Sequence, residues 1–141
     1  YEKYQPICRE KKIRLQLNMP EDCFPIISSD RDRLCQIIEI FLDNAFTYSP
    51  GDSSITLSGE IEKNIITISV IDHGLGITEN NKERIFDRFH QCDKSHTKKD
   101  HFGLGLSIAK ELAENMNAHI HLSDTKGGGC TFSLSFNLTD K

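Results

Sequence analysis

The chain is 141 residues long, about one domain's worth, and its 17 basic and 21 acidic side chains leave a formal net charge of -4. With 37% hydrophobic and 27% charged residues, it is too apolar for a disordered acidic tail and too polar for a membrane bundle. The acidic balance and the lack of an extended Lys/Arg block argue against a duplex nucleic-acid binder. Five widely spaced cysteines, Cys8, Cys23, Cys35, Cys92 and Cys130, contain no CxxC pair. They indicate neither a disulfide framework nor a zinc ribbon, and a reducing cytosol suits them best. The opening YEKYQPICREKK has no apolar stretch of the signal-peptide kind, and no run of 18 apolar residues occurs. The expectation is a chain that neither spans a membrane nor is exported by itself.

No internal repeat or linker divides the sequence, so residues 1–141 are expected to form one domain. Ile13, Leu15 and Leu17 alternate with polar residues and predict a half-buried strand ending near Pro20. Leu34, Ile37, Ile38, Phe41, Leu42 and Ala45 recur at helical spacing, with Ser29 or Asp30 as cap and Pro50-Gly51 as stop. Strands are predicted at Ile55 to Ile61 and Ile65 to Ile71, joined by a hairpin turn at Glu62-Lys63-Asn64. A short helix over Lys82 to Phe89 leads into the aperiodic polar stretch HQCDKSHTKKDHF, read as a surface loop. Leu104, Ile108, Leu112 and Met116 mark another helix. Closing strands at Ala118 to Leu122 and Thr131 to Phe136 flank the turn Lys126-Gly127-Gly128-Gly129. This order predicts an α+β fold, a two-layer α/β sandwich with one mostly antiparallel mixed sheet and helices on one face.

The glycine clusters Gly74-Leu75-Gly76, Gly103-Leu104-Gly105 and Gly127-Gly128-Gly129 all fall at element junctions, where backbone can approach a ligand closely. The second opens a helix, so free N–H groups and the positive dipole end there suit a phosphate. Asp72 ends the apolar strand IITISVID. A carboxylate in that place needs hydrogen-bond donors, which an amine-bearing ligand supplies, or else it caps the turn. Asn44 lies about 90° from the centre of the long helix's apolar stripe, a border position from which its carbonyl oxygen can serve Mg²⁺. No GxxxxGK[ST] occurs, and Glu79 stands where a dinucleotide fingerprint needs its third glycine. No nucleophile elbow occurs either. His90, Cys92, His96 and His101 match no standard zinc spacing, and a solvated loop accounts for them better.

DRDRLCQIIEIFLDNAFTYSP, IDHGLGI, ERIFDRF, FGLGLSIAK and GGGCTF resemble, in order, the asparagine, first glycine, phenylalanine and later glycine boxes of the catalytic ATP-binding domain of sensor histidine kinases. These domains have the GHKL ATP-binding fold, and the resemblance covers nearly the whole chain. It implies an enzyme of the protein-histidine kinase type that binds ATP and Mg²⁺. Asp72 would accept a hydrogen bond from the adenine amine, Gly74 and Gly76 would let the backbone close around the base, and Tyr48 would lie beside it. Asn44 would hold the metal. Phe86 and Phe89 would anchor the near end of an ATP lid at 90–102, in which Lys94, Lys98 or Lys99 would serve as a point charge toward the phosphates in place of the common lid arginine. Gly103, Leu104, Gly105 and Leu106 would receive the phosphates at its far end, and Thr131 completes the nucleotide set.

The departures from the family pattern are as informative. Ile40 stands where ATPases of the superfamily carry the water-activating glutamate, so the isolated chain is expected to bind ATP without turnover. Thr47, Gln91 and Asp100-His101 replace residues that commonly grip phosphate or lend the lid glycine freedom. They favour, as an alternative, a nucleotide-binding or scaffolding pseudokinase. No phosphoacceptor histidine is recognisable, so no catalytic residue in the strict sense is assigned. The expected partners are the kinase's own dimerisation domain and a response regulator, with no nucleic acid and no direct membrane contact. The isolated domain is expected to be a cytoplasmic monomer, part of a membrane-bound sensor.

Overall fold

A computed structural model describes residues 4–18, 31–74 and 105–137. In chain order the elements are α1 (Gln5–Lys11), β1 (Arg14–Asn18), α2 (Arg31–Tyr48), β2 (Ser54–Glu62), β3 (Ile65–Ile71), α3 (Gly105–Asn115), β4 (His119–Asp124) and β5 (Cys130–Asn137). The strands form one sheet in the order β1-β2-β3-β5-β4. β1 runs parallel to β2, and the other three pairings are antiparallel. This is the mixed, mostly antiparallel sheet of the expected α+β sandwich.

The alternation of apolar and polar residues decides which face of the sheet is covered. Ile66, Ile68 and Val70 of β3 stand beside Phe132 and Leu134 of β5, all buried. The helices cover this face: Phe41 of α2 stacks on Phe132 with ring centroids 5.3 Å apart. Such a pair adds about 0.5–1.5 kcal/mol beyond its buried area. Along α2 the buried residues are Leu34, Ile37, Phe41, Leu42, Ala45 and Phe46, the i, i+3, i+7 stripe of a helix lying on a core. On α3 the buried Ala109 and Ala113 are small, which lets that helix sit close to its neighbours. The opposite face is a partly exposed Ser/Thr surface, tied across β3 and β5 by Ser69 and Ser133, whose hydroxyl oxygens are 2.8 Å apart.

The hairpin between β2 and β3 turns at Lys63 and Asn64, with Glu62 opposite Ile65 and Lys63 at φ 58°. α1 has no apolar stripe and is not among the expected elements, and two strand boundaries are corrected. β4 runs on to Asp124, and β5 starts one residue earlier than expected, at Cys130. The predicted cap at Ser29 or Asp30, the short helix Lys82 to Phe89 and the lid 90–102 lie outside the described residues.

Candidate functional site

The last residue that β3 aims at the helix face is Asp72, one step beyond the strand, and it is only 5% exposed. Burying a carboxylate is costly unless donors meet it. The main chain meets it here: Oδ1 accepts from the N–H of Gly74 and from the N–H of Cys130, each at 3.0 Å. The Asp72 N–H in turn donates to the Cys130 carbonyl at 2.9 Å. Turn capping, one of the two roles open to Asp72, is therefore real, and it uses one oxygen. The bonds that the described residues make to its carboxylate both go to Oδ1.

Two glycines make this cradle sterically feasible. Gly129, at φ +107°, lies so close that a Cβ would stand 2.7 Å from the His73 Cα and clash with the Asp72 carbonyl. A Cβ on Gly74 would stand 2.6 Å from the Tyr48 carbonyl oxygen, so the strand end is pressed against the last residue of α2. Tyr48, Asp72 and Gly74 are thus brought together.

At the other end of the same helix edge, the start of α3 meets α2: a Cβ on Gly105 would touch Ile40 Cγ2 at 3.5 Å. Ile40, Asn44 and Tyr48 are spaced i, i+4, i+8 and share one side of α2. At 1.5 Å per residue that edge spans ~12 Å, with Asn44 midway. Asn44 is half-buried, and among the described residues nothing is hydrogen-bonded to its amide. An unengaged carbonyl oxygen at that point fits Mg²⁺, a hard ion that takes few protein ligands and fills its shell with water and phosphate oxygens. Leu106 is buried, and Gly105 is exposed at the first turn of α3, where helix N–H groups lack intrahelical partners.

Thr131 of the expected nucleotide set lies in β5. Strand alternation puts it on the open Ser/Thr face, where its hydroxyl lies 2.9 Å from that of Thr125 and closes the β4–β5 turn. Cys130, buried on the helix side, is the residue that borders Asp72. Counting back by twos from the apolar Leu134 and Phe132 would have found it. Thr47, standing where a phosphate-binding lysine is common, bonds its own helix through Oγ1 to the Asp43 carbonyl at 2.7 Å. Gly76, Phe86, Phe89, Lys94, Gly103 and Leu104 lie outside the described residues, as do His90, Cys92, His96 and His101. Among the described residues no group of three or more His, Cys, Asp or Glu could hold a metal, and no helix is long and apolar enough to cross a membrane.

Sheet order, one-sided helices and a main-chain-held carboxylate at the end of a central strand define a two-layer α+β sandwich with a candidate site at that strand end. Residues 29–140 match the family described as histidine kinase-, DNA gyrase B-, and HSP90-like ATPase, and the chain belongs to that family as the catalytic ATP-binding domain of a sensor histidine kinase. It is 33% identical over 131 residues to the sensor histidine kinase WalK of Bacillus subtilis (strain 168), covering 90% of this chain and 21% of that protein. It is 36% identical over 110 residues to the sensor-like histidine kinase SenX3 of Mycolicibacterium smegmatis, covering 77% of this chain and 29% of that one. The chain therefore spans less than a third of these relatives. Among solved structures, full-length ShkA in complex with AMPPNP superposes with a TM-score of 0.76 at 25% identity, over 95% of this chain and 27% of that one. The catalytic domain of the histidine kinase ThkA shares the fold, with a TM-score of 0.79 at 22% identity over 97% of this chain and 86% of that one.

Proposed function

We propose that this domain holds Mg-ATP along the Tyr48–Asn44–Ile40 edge of α2 and presents the γ-phosphoryl group to a histidine on a separate dimerisation domain, from which a response regulator's aspartate takes it. The observation that carries the reading is that one edge of α2, ~12 Å long from Ile40 to Tyr48, meets the N-terminus of α3 at one end and, at the other, the strand end that carries a carboxylate able to accept from an adenine amine. Phosphoryl transfer needs positioning and charge neutralisation more than a covalent protein group. Asp72 would fix the base, Tyr48 and Gly74 would flank it, and the first turn of α3 at Gly105 and Leu106 would meet the phosphates. Gly76, Phe86, Phe89, Lys94, Gly103 and Leu104 complete the proposed set from sequence, and a lid at 90–102 would cover it. Asn44 would hold Mg²⁺, which supplies charge neutralisation at the phosphates. Ile40 beside Gly105 offers no base to activate water. The proposed setting is the cytoplasmic part of a membrane-bound sensor, with the isolated domain a monomer. WalK, LuxQ of Vibrio vulnificus and ShkA, all larger than this chain, support a role within a longer kinase.

The test combines Mg-ATP, this chain and the parent kinase's dimerisation domain in trans. Acid-labile phosphohistidine is the expected product, and its absence with nucleotide bound would favour a pseudokinase. One observation favours that second reading: Thr47, bonded back to its own helix, is a poor substitute for a lysine reaching phosphate.

A further inference from the structure

Phe46 sits between Asn44 and Tyr48 on α2 and is gripped by α1 at two points. Lys11, the last residue of α1, donates from Nζ to the Phe46 carbonyl at 2.6 Å. Tyr4, just before α1, stacks on the Phe46 ring with centroids 5.5 Å apart and planes 7° from parallel. Tyr4 is 6% exposed, and its phenol lies against Asp43 and Glu39 of the same helix. The chain after α1 is tied to the loop after α2: the Asp52 N–H donates to the Lys12 carbonyl at 2.9 Å, and Gly51 packs against the Lys11 carbonyl.

A helix C-terminus has carbonyls with no intrahelical partner and a negative dipole end that a cation stabilises. The last turn of α2 carries no basic residue of its own. Lys11 supplies one from another element.

Resting on the nucleotide reading above, we propose that α1 is a clasp whose Lys11 and Tyr4 act as positioning residues for nucleotide. They hold the last turns of α2 so that Asn44 and Tyr48 keep their places relative to Gly74 and Asp72. The physical route is population. Helix ends fray, and a turn that is ordered in only a fraction of molecules weakens apparent affinity by that fraction. A purely structural contact would lower global stability and leave affinity alone.

The experiment measures Mg-ATP affinity by calorimetry, melting temperature, and amide exchange of Phe46 to Ser49, for wild type, Lys11→Met, Lys11→Arg and Tyr4→Leu. Ile120→Val on β4, away from α2, serves as a control for stability loss. Lys11→Met is expected to weaken Mg-ATP binding about fivefold to tenfold and to speed exchange at Phe46 to Ser49. Lys11→Arg, which keeps a charged donor, is expected to restore affinity to within about twofold. Tyr4→Leu is expected to weaken binding about twofold to threefold and tests the clasp even if Lys11→Met fails to fold. Ile120→Val should lower the melting temperature at unchanged affinity. Wild-type affinity in both clasp variants, with wild type itself binding nucleotide, would overturn the clasp and leave the nucleotide reading intact. Failure of wild type to bind nucleotide would sink that reading and the clasp with it.

Discussion

The two ends of the proposed nucleotide site are built from different materials. At the strand end, Asp72 is held by main chain: two N–H donors and two glycines whose missing Cβ atoms make room. At the helix end, Asn44 and Tyr48 are held by packing, through the Phe41–Phe132 stack below and the α1 clasp beside them. Main-chain cradles are stiff and intolerant, because any side chain added to a glycine must displace backbone. Side-chain supports fail by degrees, because neighbours can shift. The division suits a site that must select one base strictly while letting a metal and phosphates settle by adjustment.

The sharpest way to break the contrast is Gly129→Ala. Its positive φ and the clash with Asp72 and His73 are expected to cost about 3 kcal/mol or more, seen as a large fall in the denaturation midpoint together with lost ATP binding. A near-wild-type midpoint would show the cradle to be softer than described.

Next in size is Asp72→Asn. The side-chain oxygen can still accept from Gly74 and Cys130, while the new amide turns a donor toward the ligand. ATP affinity is expected to fall about tenfold to a hundredfold, from an opposed pair of donors worth about 1–3 kcal/mol, and GTP should lose less or gain. Calorimetry with both nucleotides decides it, and equal losses would detach Asp72 from base selection.

At the packed end, Asn44→Ala should barely move the melting temperature, because the residue is half-buried on the helix border. It should weaken Mg-ATP by about tenfold and metal-free ADP far less. Equal weakening of both would remove the metal assignment.

The smallest effect concerns Tyr4. Burial foremost, then the charges of Asp43 and Glu39, push its phenol pKa up from the ordinary value of 10.0. A phenol that ionises more readily in the unfolded chain favours unfolding once pH passes that ordinary value, so the contribution is intact below pH 10 and shrinks above it. Tyr4→Phe keeps the ring stack and removes the titration. Its stability should fall less steeply than wild type's in alkaline denaturation curves.

Much of this was legible in the sequence, for identifiable reasons. Alternation in IITISVID and helical recurrence from Leu34 to Ala45 fix the covered face of β3 and of α2, and so place Asp72 and the border residue Asn44. Alternation reports a face and never a neighbour, which is why the parallel pairing of β1 with β2 was invisible. α1 was invisible too, since its seven residues form less than two turns and show no stripe, only half-buried Ile7 and Cys8. Thr131 matches the glycine box but not the parity of the buried face, and a one-residue step along a strand exchanges faces. Cys130, the neighbour of Asp72, was missed for the same reason. Lys11 carries no local signal at all, because its partner lies 35 residues away.

The bond from Cys130 to Asp72 joins residues 58 apart in sequence, whereas the β2–β3 hairpin closes over two residues. By loop entropy alone the longer closure costs about 3 kcal/mol more, so hairpins should form early and the β3–β5 seam late. The carboxylate's cradle therefore exists only once two independently folded hairpins have met. A half-assembled chain holds Asp72 on a bare strand end without its Cys130 donor, and nucleotide bound during synthesis or refolding acts on the finished domain, raising its unfolding barrier without hastening its assembly.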